Sequence, residues 1–260
     1  MEFSKLSSAV TIKTISEDSR KGVFEVEGLF SGYGLTVGNA LRRVLLSSLP
    51  GAAVTEIKIK NASHEFSTLP GIKEDLIELS LNFKKLRIKM HTDEPQVVTL
   101  KAKGIKTATA ADIKSNSMIE IVNKDEPLAT LTAKDAELEI EIKIEQGLGY
   151  LPVESRKETR LTVGTIAIDA IFTPVLKVNY TVDDMRVGDK TDYNKLRIEI
   201  ETDGTISSSA ALKRAGEILR DHFEKIFTIP VQEFETPKGD IQESVEAPKK
   251  KRAKKEKKEE

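Results

Sequence analysis

The sequence predicts an α+β fold in which strands with one wet face are combined with three amphipathic helices. Three observations lead to this prediction. Apolar and charged residues alternate along several segments, and apolar residues recur every three or four positions along three others. The strands and helices do not alternate regularly along the chain, which argues against a sheet built from repeated strand–helix–strand units.

The first predicted elements are an N-terminal hairpin and a helix. VTIKTIS (10–16) and GVFEVEGL (22–29) have the composition of two paired strands. The helix lies within GLTVGNALRRVLLSSLPG, roughly from Thr36 to Leu49, and Pro50-Gly51 ends it. Its apolar stripe consists of Val37, Leu41, Val44 and Leu45.

This helix also carries two adjacent arginines in its middle. Neighbouring side chains on a helix diverge by about 100°, so Arg42 and Arg43 point in different directions. Gly38, Arg42 and Leu46 therefore define a second face that mixes charge with apolar surface. Arginine is enriched at protein interfaces. Two interpretations stay open here: a partner-binding face, or two arginines that only increase solubility.

The middle of the chain predicts a second helix and three long strands. IKEDLIELSLNF (72–83) aligns Ile72, Leu76, Leu79 and Phe83 on one helical face. AELEIEIKIEQG (136–147) is the clearest strand, with Leu138, Ile140, Ile142 and Ile144 facing one way. KLRIEIETDG (195–204) repeats that period of two. PVLKVNYTV (174–182) places Leu176, Val178, Tyr180 and Val182 on one face.

The third helix is predicted in SSSAALKRAGEILRDHFEKIF (207–227). Leu212, Ala215, Leu219, Phe223 and Ile226 recur at spacings of three and four, and serines are available to cap its start. Gly216 lies within this helix, where glycine costs up to about 1 kcal/mol relative to alanine unless it allows a close helix approach.

Residues 231–260 are predicted to be disordered, as an acidic linker followed by a basic tail. Neither part has apolar periodicity. Residues 249–260 contain eight lysines or arginines and three glutamates, a net charge of +5, whereas the rest of the chain carries −6. Lysine-rich tails of this kind bind phosphates or simply solubilise the protein, and both interpretations stay open.

Composition excludes several classes of function. The chain has no cysteine, which removes disulfides, thiolate metal sites and cysteine nucleophiles. It has neither a signal peptide nor an apolar run near the roughly 20 residues that a membrane span needs. We therefore expect a cytoplasmic protein without a membrane partner.

No active site is visible in the sequence. The chain has no phosphate-binding glycine loop and no dinucleotide fingerprint. His64, His91 and His222 lie in unrelated contexts without metal-ligand spacing, and Asp183-Asp184 is typical of a solvated turn. We therefore expect no catalytic residue, no metal and no cofactor in this chain.

Four long strings resemble one known family, in the family's order. They are GYGLTVGNALRRVLLSSLPGAAVTEIKI, HEFSTLPGIKEDLIELSLNFKKL, GLGYLPVESR and IAIDAIFTPVLKVNYTVDDMRVGDKTDYNKLRIEIETDGTI. Over roughly residues 20–230 the chain resembles the bacterial RNA polymerase alpha-subunit family, in its amino-terminal half. The resemblance implies a part in transcription, as a non-catalytic subunit of a nucleotidyltransferase.

The resemblance also implies a two-domain fold. A discontinuous dimerisation domain would comprise 1–51 and 166–230, and a strand-rich domain at 52–165 would be inserted between its halves. In the family two alpha chains form a homodimer, which is the platform for the beta and beta-prime large subunits. DNA is reached through the assembled complex.

Site residues follow by motif position. The resemblance places the dimer contacts on the first and last helices, at Val37, Leu41, Leu45, Leu212, Ala215, Leu219 and Phe223. It leaves Arg42, Arg43 and Leu46 free to meet a large subunit, and it places Lys84, Ile168 and Asp169 in regions that face the large subunits. For Lys84 an ordinary solvated lysine is an equally good interpretation.

The chain departs from the family's pattern at its end. The family usually continues into a helical domain that binds upstream promoter DNA and activators, and here the basic tail follows instead. Either the lineage lacks this domain or the chain is a truncated form, and promoter and activator contacts are therefore not implied. Two rivals are a stand-alone nucleic-acid-binding protein, which predicts a basic body, and an independent enzyme, which predicts a convergent site.

Overall fold

The computed structural model of the chain describes residues 9–62, 65–156 and 164–230. Within these ranges it contains fifteen strands and three α-helices. The strands are β1 (Thr11–Glu17), β2 (Lys21–Leu29), β3 (Pro50–Ile59), β4 (Ile88–Met90), β5 (Gln96–Lys103), β6 (Lys106–Thr109), β7 (Ile113–Lys114), β8 (Ile119–Ile121), β9 (Pro127–Leu131), β10 (Glu137–Leu148), β11 (Tyr150–Leu151), β12 (Thr165–Ala167), β13 (Ala170–Ile171), β14 (Val175–Val187) and β15 (Lys190–Thr202). The helices are α1 (Tyr33–Ser47), α2 (Leu76–Lys84) and α3 (Ser208–Ile226).

The smaller of the two main sheets has the antiparallel order β1-β2-β15-β14. Helices α1 and α3 pack against it and against each other. The core between these layers contains Phe24, Val26, Leu29, Leu41, Leu45, Leu49, Val175, Val178, Leu196, Ile198, Ile200, Ala211 and Ala215. This sheet confirms the predicted N-terminal hairpin, in which Thr11 pairs with Glu27.

The larger sheet has the order β7-β5-β10-β3-β4-β8, and β12 pairs with β3. Its central strand β10 confirms the predicted alternation, because Leu138, Ile140, Ile142 and Ile144 are all buried. They lie in a second core to which α2 contributes. The opposite face of β10 is wet, and Glu137 and Glu139 pair there with two lysines of β5 and with Lys60, which directly follows β3. The α+β prediction is thus confirmed.

Two of the three helix predictions hold closely. Helix α1 begins three residues before the predicted start, and α3 begins where Ser207 accepts a hydrogen bond from the Ala210 amide at 3.3 Å. The predicted start of α2 at Ile72 is wrong. Asp75 caps that helix by accepting from the Glu78 amide at 2.6 Å, and Ile72 instead bridges to Leu131.

Two predictions of the face on which a residue lies are also wrong, each for a local reason. Leu176 is half exposed, because a bulge between Val175 and Lys177 turns it away from the core. Gly38 is buried against the sheet, since a Cβ at this position would lie 2.8 Å from the Tyr180 ring. A residue without a side chain gives no polarity signal, so the sequence pattern placed Gly38 on the wrong face.

Some predictions fall outside the described residues. The linker and tail at 231–260 and His64 are among them. Within the described part of the chain, no helix is both long and apolar enough to cross a membrane.

Candidate protein–protein interfaces

Helix α1 presents its two arginines on different surfaces. Both residues are exposed, and within the described residues neither guanidinium forms an ion pair. Arg42 lines a recess of about 400 Å³ together with residues of β14 and β15. Arg43 lies one turn before Ser47, whose hydroxyl donates to the Arg43 carbonyl at 2.7 Å. Leu46 is half-buried against the smaller core.

The predicted dimer residues divide by burial. Leu41, Leu45 and Ala215 lie in the core of the single chain, at 8%, 0% and 0% exposure. They support the helices rather than offer contact area. Val37, Leu212 and Leu219 are half-buried against that core, and Phe223 is 55% exposed. Among the predicted set, Phe223 is therefore the residue freest to contact a second copy.

The carboxyl-terminal end of α3 stands clear of the rest of the chain. Every residue from Arg220 to Pro230 is exposed. The apolar ones are Phe223, Ile226, Phe227 and Ile229, with exposures of 55%, 56%, 85% and 63%. Exposed apolar clusters of this kind mark contact sites on soluble proteins.

Lys84 and Asp169 are brought together by the fold. Lys84 ends α2, and its ammonium lies 3.2 Å from the Asp169 carboxylate in the turn between β12 and β13. The same ammonium lies 5.9 Å from the centre of the Tyr150 ring on β11, within the range of a cation–π contact. Lys84 is therefore a paired residue rather than a free solvated lysine.

Asp169 is held in its charged form. The Val153 amide donates to its Oδ1 at 3.1 Å, and this hydrogen bond, followed by the Lys84 ammonium, lowers the pKa of the carboxyl. Partial desolvation, together with the nearby Asp169 carboxylate, raises the pKa of Tyr150. At neutral pH Lys84, Tyr150 and Asp169 thus form a cluster of one positive charge, one aromatic ring and one negative charge.

Arg156 holds the segment before Asp169 next to β3. Its guanidinium donates to the Thr55 carbonyl at 2.7 Å and to the Ile168 carbonyl at 2.6 Å. Ile168 itself is only 5% exposed and packs in the larger core. Any part that Ile168 plays in partner binding is therefore indirect, through the position of Asp169.

A chain of contacts joins this cluster to α1. A Cβ at Gly149 would lie 3.3 Å from the Ser47 carbonyl, so the turn before Tyr150 touches the end of α1. Tyr150 pairs across the strands with Ile171, and Leu148, Tyr150 and Ile171 are all exposed. We call Arg43, Leu46, Lys84, Tyr150 and Asp169 the α1–β11 surface.

Sequence reasoning missed Tyr150, Leu148 and Ile171. Tyr150 lies in GLGYLPVESR, a string that carried the family resemblance, but the adjacent Gly147 and Gly149 are typical of a turn and give no signal of a binding residue. Within the described residues, no group of three or more histidine, cysteine, aspartate or glutamate side chains could hold a metal ion. Asp184 accepts a hydrogen bond from the Asn194 amide at 3.0 Å, so it is not simply a solvated turn residue.

Comparisons with known proteins agree with this architecture. Residues 57–173 match the family described as the RNA polymerase Rpb3/RpoA insert domain. Over 229 residues the chain is 45% identical to the DNA-directed RNA polymerase subunit alpha of Symbiobacterium thermophilum, covering 88% of this chain and 71% of that protein. The chain belongs to the alpha-subunit family of DNA-directed RNA polymerase.

Other alpha subunits show the same relation. The chain is 47% identical to that of Alkaliphilus oremlandii over 220 residues, covering 85% of this chain and 69% of the relative. It is 47% identical to that of Clostridium botulinum strain Eklund 17B over 214 residues, covering 82% and 68%. The matched insert-domain range contains Lys84, Tyr150 and Asp169 of the α1–β11 surface.

The charge on Asp169 should make the stability of this protein depend on pH in the acid range. A carboxylate with a lowered pKa stabilises the fold above its ordinary value of 3.8, and that contribution is lost as the pH falls through the folded-state pKa. Asp169→Asn keeps an acceptor for the Val153 amide but loses the pair with Lys84. We expect the variant to unfold at a lower temperature than the parent at pH 7.

At about pH 3 this gap should narrow, because the contribution of the carboxylate to the free energy of unfolding is partly lost once the pH falls below the ordinary pKa of the group. Thermal unfolding followed by circular dichroism at both pH values measures it. A gap of equal size at both would show that the carboxylate charge contributes nothing.

Proposed function

We propose that this chain is a non-catalytic alpha subunit that assembles DNA-directed RNA polymerase. Two copies form a homodimer, and the dimer is the platform on which the beta and beta-prime large subunits bind. The complex carries out nucleotide transfer and meets DNA, while this chain supplies no catalytic group. The observation that carries the proposal is the projecting apolar end of α3, since a platform has to join two copies before it can hold larger partners.

The dimer contact is proposed at the end of α3. Its four exposed apolar residues lie within seven positions, from Phe223 to Ile229. A symmetric dimer uses the same patch on both copies, so one projecting helix end can pack against its counterpart. Gly216 fits this arrangement, because a Cβ there would meet nothing within 4 Å in the single chain and the helix surface stays open for a close approach.

The α1–β11 surface is proposed as a contact for a large subunit. It combines an arginine that has no ion pair among the described residues with an exposed tyrosine and a fixed ion pair. Tyrosine and arginine dominate the binding energy of protein interfaces. Its parts come from α1, α2 and β11, and the contact at Gly149 and Ser47 keeps them adjacent. Arg42, which points in a different direction from α1, is proposed as a secondary contact.

We also propose the discontinuous domain arrangement that the resemblance implies, with 1–51 and 166–230 around an insert at 52–165. The two separate cores support a division of this kind. Ile166 and Ile168 nevertheless pack in the larger core, and β12 pairs with β3. The residues just after 165 therefore serve as the joint between the two parts.

Affinity purification of the full chain from its native cells tests the proposed function. A tagged copy should retain two very large polypeptides, identified by mass spectrometry as polymerase subunits, together with the untagged copy. The retained complex should extend RNA on a DNA template. Recovery of the chain with nucleic acid alone, or as an active enzyme by itself, would contradict the proposal and favour a rival class.

The basic tail is proposed to add non-specific DNA affinity to the assembled complex. Eight cations in residues 249–260 can neutralise phosphates and release counterions. Full engagement would contribute a slope of up to about −7 in log K against log salt, and the three glutamates reduce this. Deletion of 249–260 should leave assembly intact and make the slope shallower by about 2 to 4.

Binding of both assembled forms to a long DNA duplex, measured across a salt series, decides the role of the tail. Equal slopes for the two forms would show that the tail only solubilises the protein.

A further inference from the structure

Helix α1 lacks the local cap that the other two helices have. Asp75 and Ser207 cap α2 and α3 with their own side chains. The residue before α1 is Gly32, which has no side chain to accept a hydrogen bond, and the first turn of α1 contains no acidic residue. An uncapped first turn leaves backbone amides without partners and exposes the positive end of the helix dipole.

Asn194 supplies this cap from a distant part of the chain. Its Oδ1 accepts from the Gly32 amide at 2.8 Å and, more weakly, from the Gly34 amide at 3.4 Å. Asn194 is 7% exposed, so these hydrogen bonds are shielded from water. Its Nδ2 donates to Asp184 at 3.0 Å. Only one amide orientation satisfies all three contacts, since the reversed amide would point its NH₂ at two donors.

Asp184 is the second link in this arrangement. It lies on β14 directly opposite Asn194 on β15. Its carboxylate orients the Asn194 amide and places a negative charge behind the amino terminus of α1, where the helix dipole favours one. Asp184 therefore acts on α1 through Asn194.

Further contacts around Asn194 also hold the start of α1. Gly34 makes room for the cap, because a Cβ there would lie 3.0 Å from the Asn194 Cβ. The Phe30 ring, just before α1, packs edge-on against Tyr193 at 5.9 Å. The Gly28 amide approaches the Met185 sulfur at 3.2 Å. We call Asp184, Met185, Tyr193 and Asn194 the hairpin clasp.

We infer that the hairpin clasp positions α1 for its partner, and that Asn194 is a positioning residue for capture of a large subunit. The inference rests on the proposed function, because the surface that α1 presents is the proposed contact. The clasp grips only the first turn and the segment before it, whereas Arg43 and Leu46 lie in the last two turns of α1. The clasp therefore fixes the direction in which α1 runs. That direction determines the positions of the Arg43 and Leu46 side chains.

Hydrogen exchange on the full chain tests the clasp without any partner. Asn194→Ala removes the acceptor, and exchange of the Gly32 and Gly34 amides should then become about 2- to 30-fold faster, the range that corresponds to a lost N-cap. The double variant Asn194→Asp with Asp184→Asn exchanges the two groups at constant net charge. Its relocated carboxylate accepts from both backbone amides and from the relocated side-chain amide on β14, so exchange should return to within about twofold of the parent.

Capture of a large subunit tests the positioning role. At a temperature where every variant is fully folded by circular dichroism, Asn194→Ala should weaken capture by about 3- to 30-fold, because the uncapped helix no longer holds Arg43 and Leu46 in the direction that the contact needs. The double variant should restore capture. Arg43→Ala should weaken capture by a smaller factor in the Asn194→Ala background than in the parent, because a helix that points in the wrong direction no longer places Arg43 in the contact.

The outcomes separate the inference from the function on which it rests. If Asn194→Ala speeds exchange but captures the large subunit as well as the parent does, the clasp only stabilises the fold and the inference is overturned. Independent effects of Arg43→Ala and Asn194→Ala would also overturn it. If the parent captures no large subunit while its amides are protected, the proposed function has failed and the cap itself stands.

Discussion

Aspartates at Phe223 and Ile226 should separate the proposed dimer into monomers. Both side chains are more than half exposed in the single chain, so their replacement spares the core of the protomer. In a dimer they would lie in the contact, where an ionised group without a partner costs about 3 kcal/mol or more. We expect the dissociation constant to rise at least about 100-fold. Light scattering at micromolar concentration measures it.

Leu219 is a poorer target for the same test. It is half-buried against the smaller core, so an aspartate there would also damage the protomer. Lys225→Asp is the matched control, because it introduces the same side chain at an exposed position on another face of α3. A monomeric parent, or equal dissociation of the control and the test variant, would contradict the proposed dimer contact.

Removal of the Arg43 side chain should weaken capture of a large subunit by about 30-fold. Arginines that anchor an interface typically cost about 2 kcal/mol or more on truncation to alanine. Arg43 is exposed and pairs with no carboxylate among the described residues, so its loss leaves the protomer intact. Capture at limiting concentration, with the dimer content checked in parallel, measures the effect.

Two controls sharpen this experiment. Lys114→Ala removes an exposed cation from β7 and should leave capture unchanged. Arg42→Ala removes the neighbouring charge on the other side of α1 and should weaken capture less than Arg43→Ala does. Equal capture by the parent and the Arg43 variant would reduce Arg43 to a solubilising residue.

Sequence periodicity predicted the regular parts of this fold well. The alternation from Leu138 to Ile144 fixed both the existence and the facing of β10, because every apolar side chain there lies on one face. The stripe on α3 and the serine at its start predicted its bounds to within a residue. Such signals come from residues that are close in sequence. They are sufficient to predict a helix or strand whose apolar residues keep one period along its whole length.

The wrong predictions share a physical cause. A bulge at Val175 and Lys177 shifts the pattern by one residue, and nothing in the side chains announces it. Ile72 matches the period of α2 but bridges to Leu131, a contact across 59 positions of sequence. The cap of α1 comes from Asn194, 162 positions beyond Gly32. Contacts between distant segments cannot be read from spacing along one segment.

The candidate surfaces show the same limit. The resemblance gave Lys84 and Asp169 by motif position, but only the fold shows that they pair with each other and with the Tyr150 ring. It also gave Ile168, whose side chain is buried. Phe227 and Ile229 lie beyond the predicted stripe, and their exposure depends on where α3 leaves the protomer.

The stoichiometry of a reconstituted complex tests the central claim most directly. The full chain is mixed with the separately purified beta and beta-prime subunits, and the product is analysed by size-exclusion chromatography with multi-angle light scattering. The account predicts one complex that contains two copies of this chain and one copy of each large subunit, and that forms only when this chain is present. Large subunits that assemble equally well without it, or a complex that holds a single copy, would contradict the account.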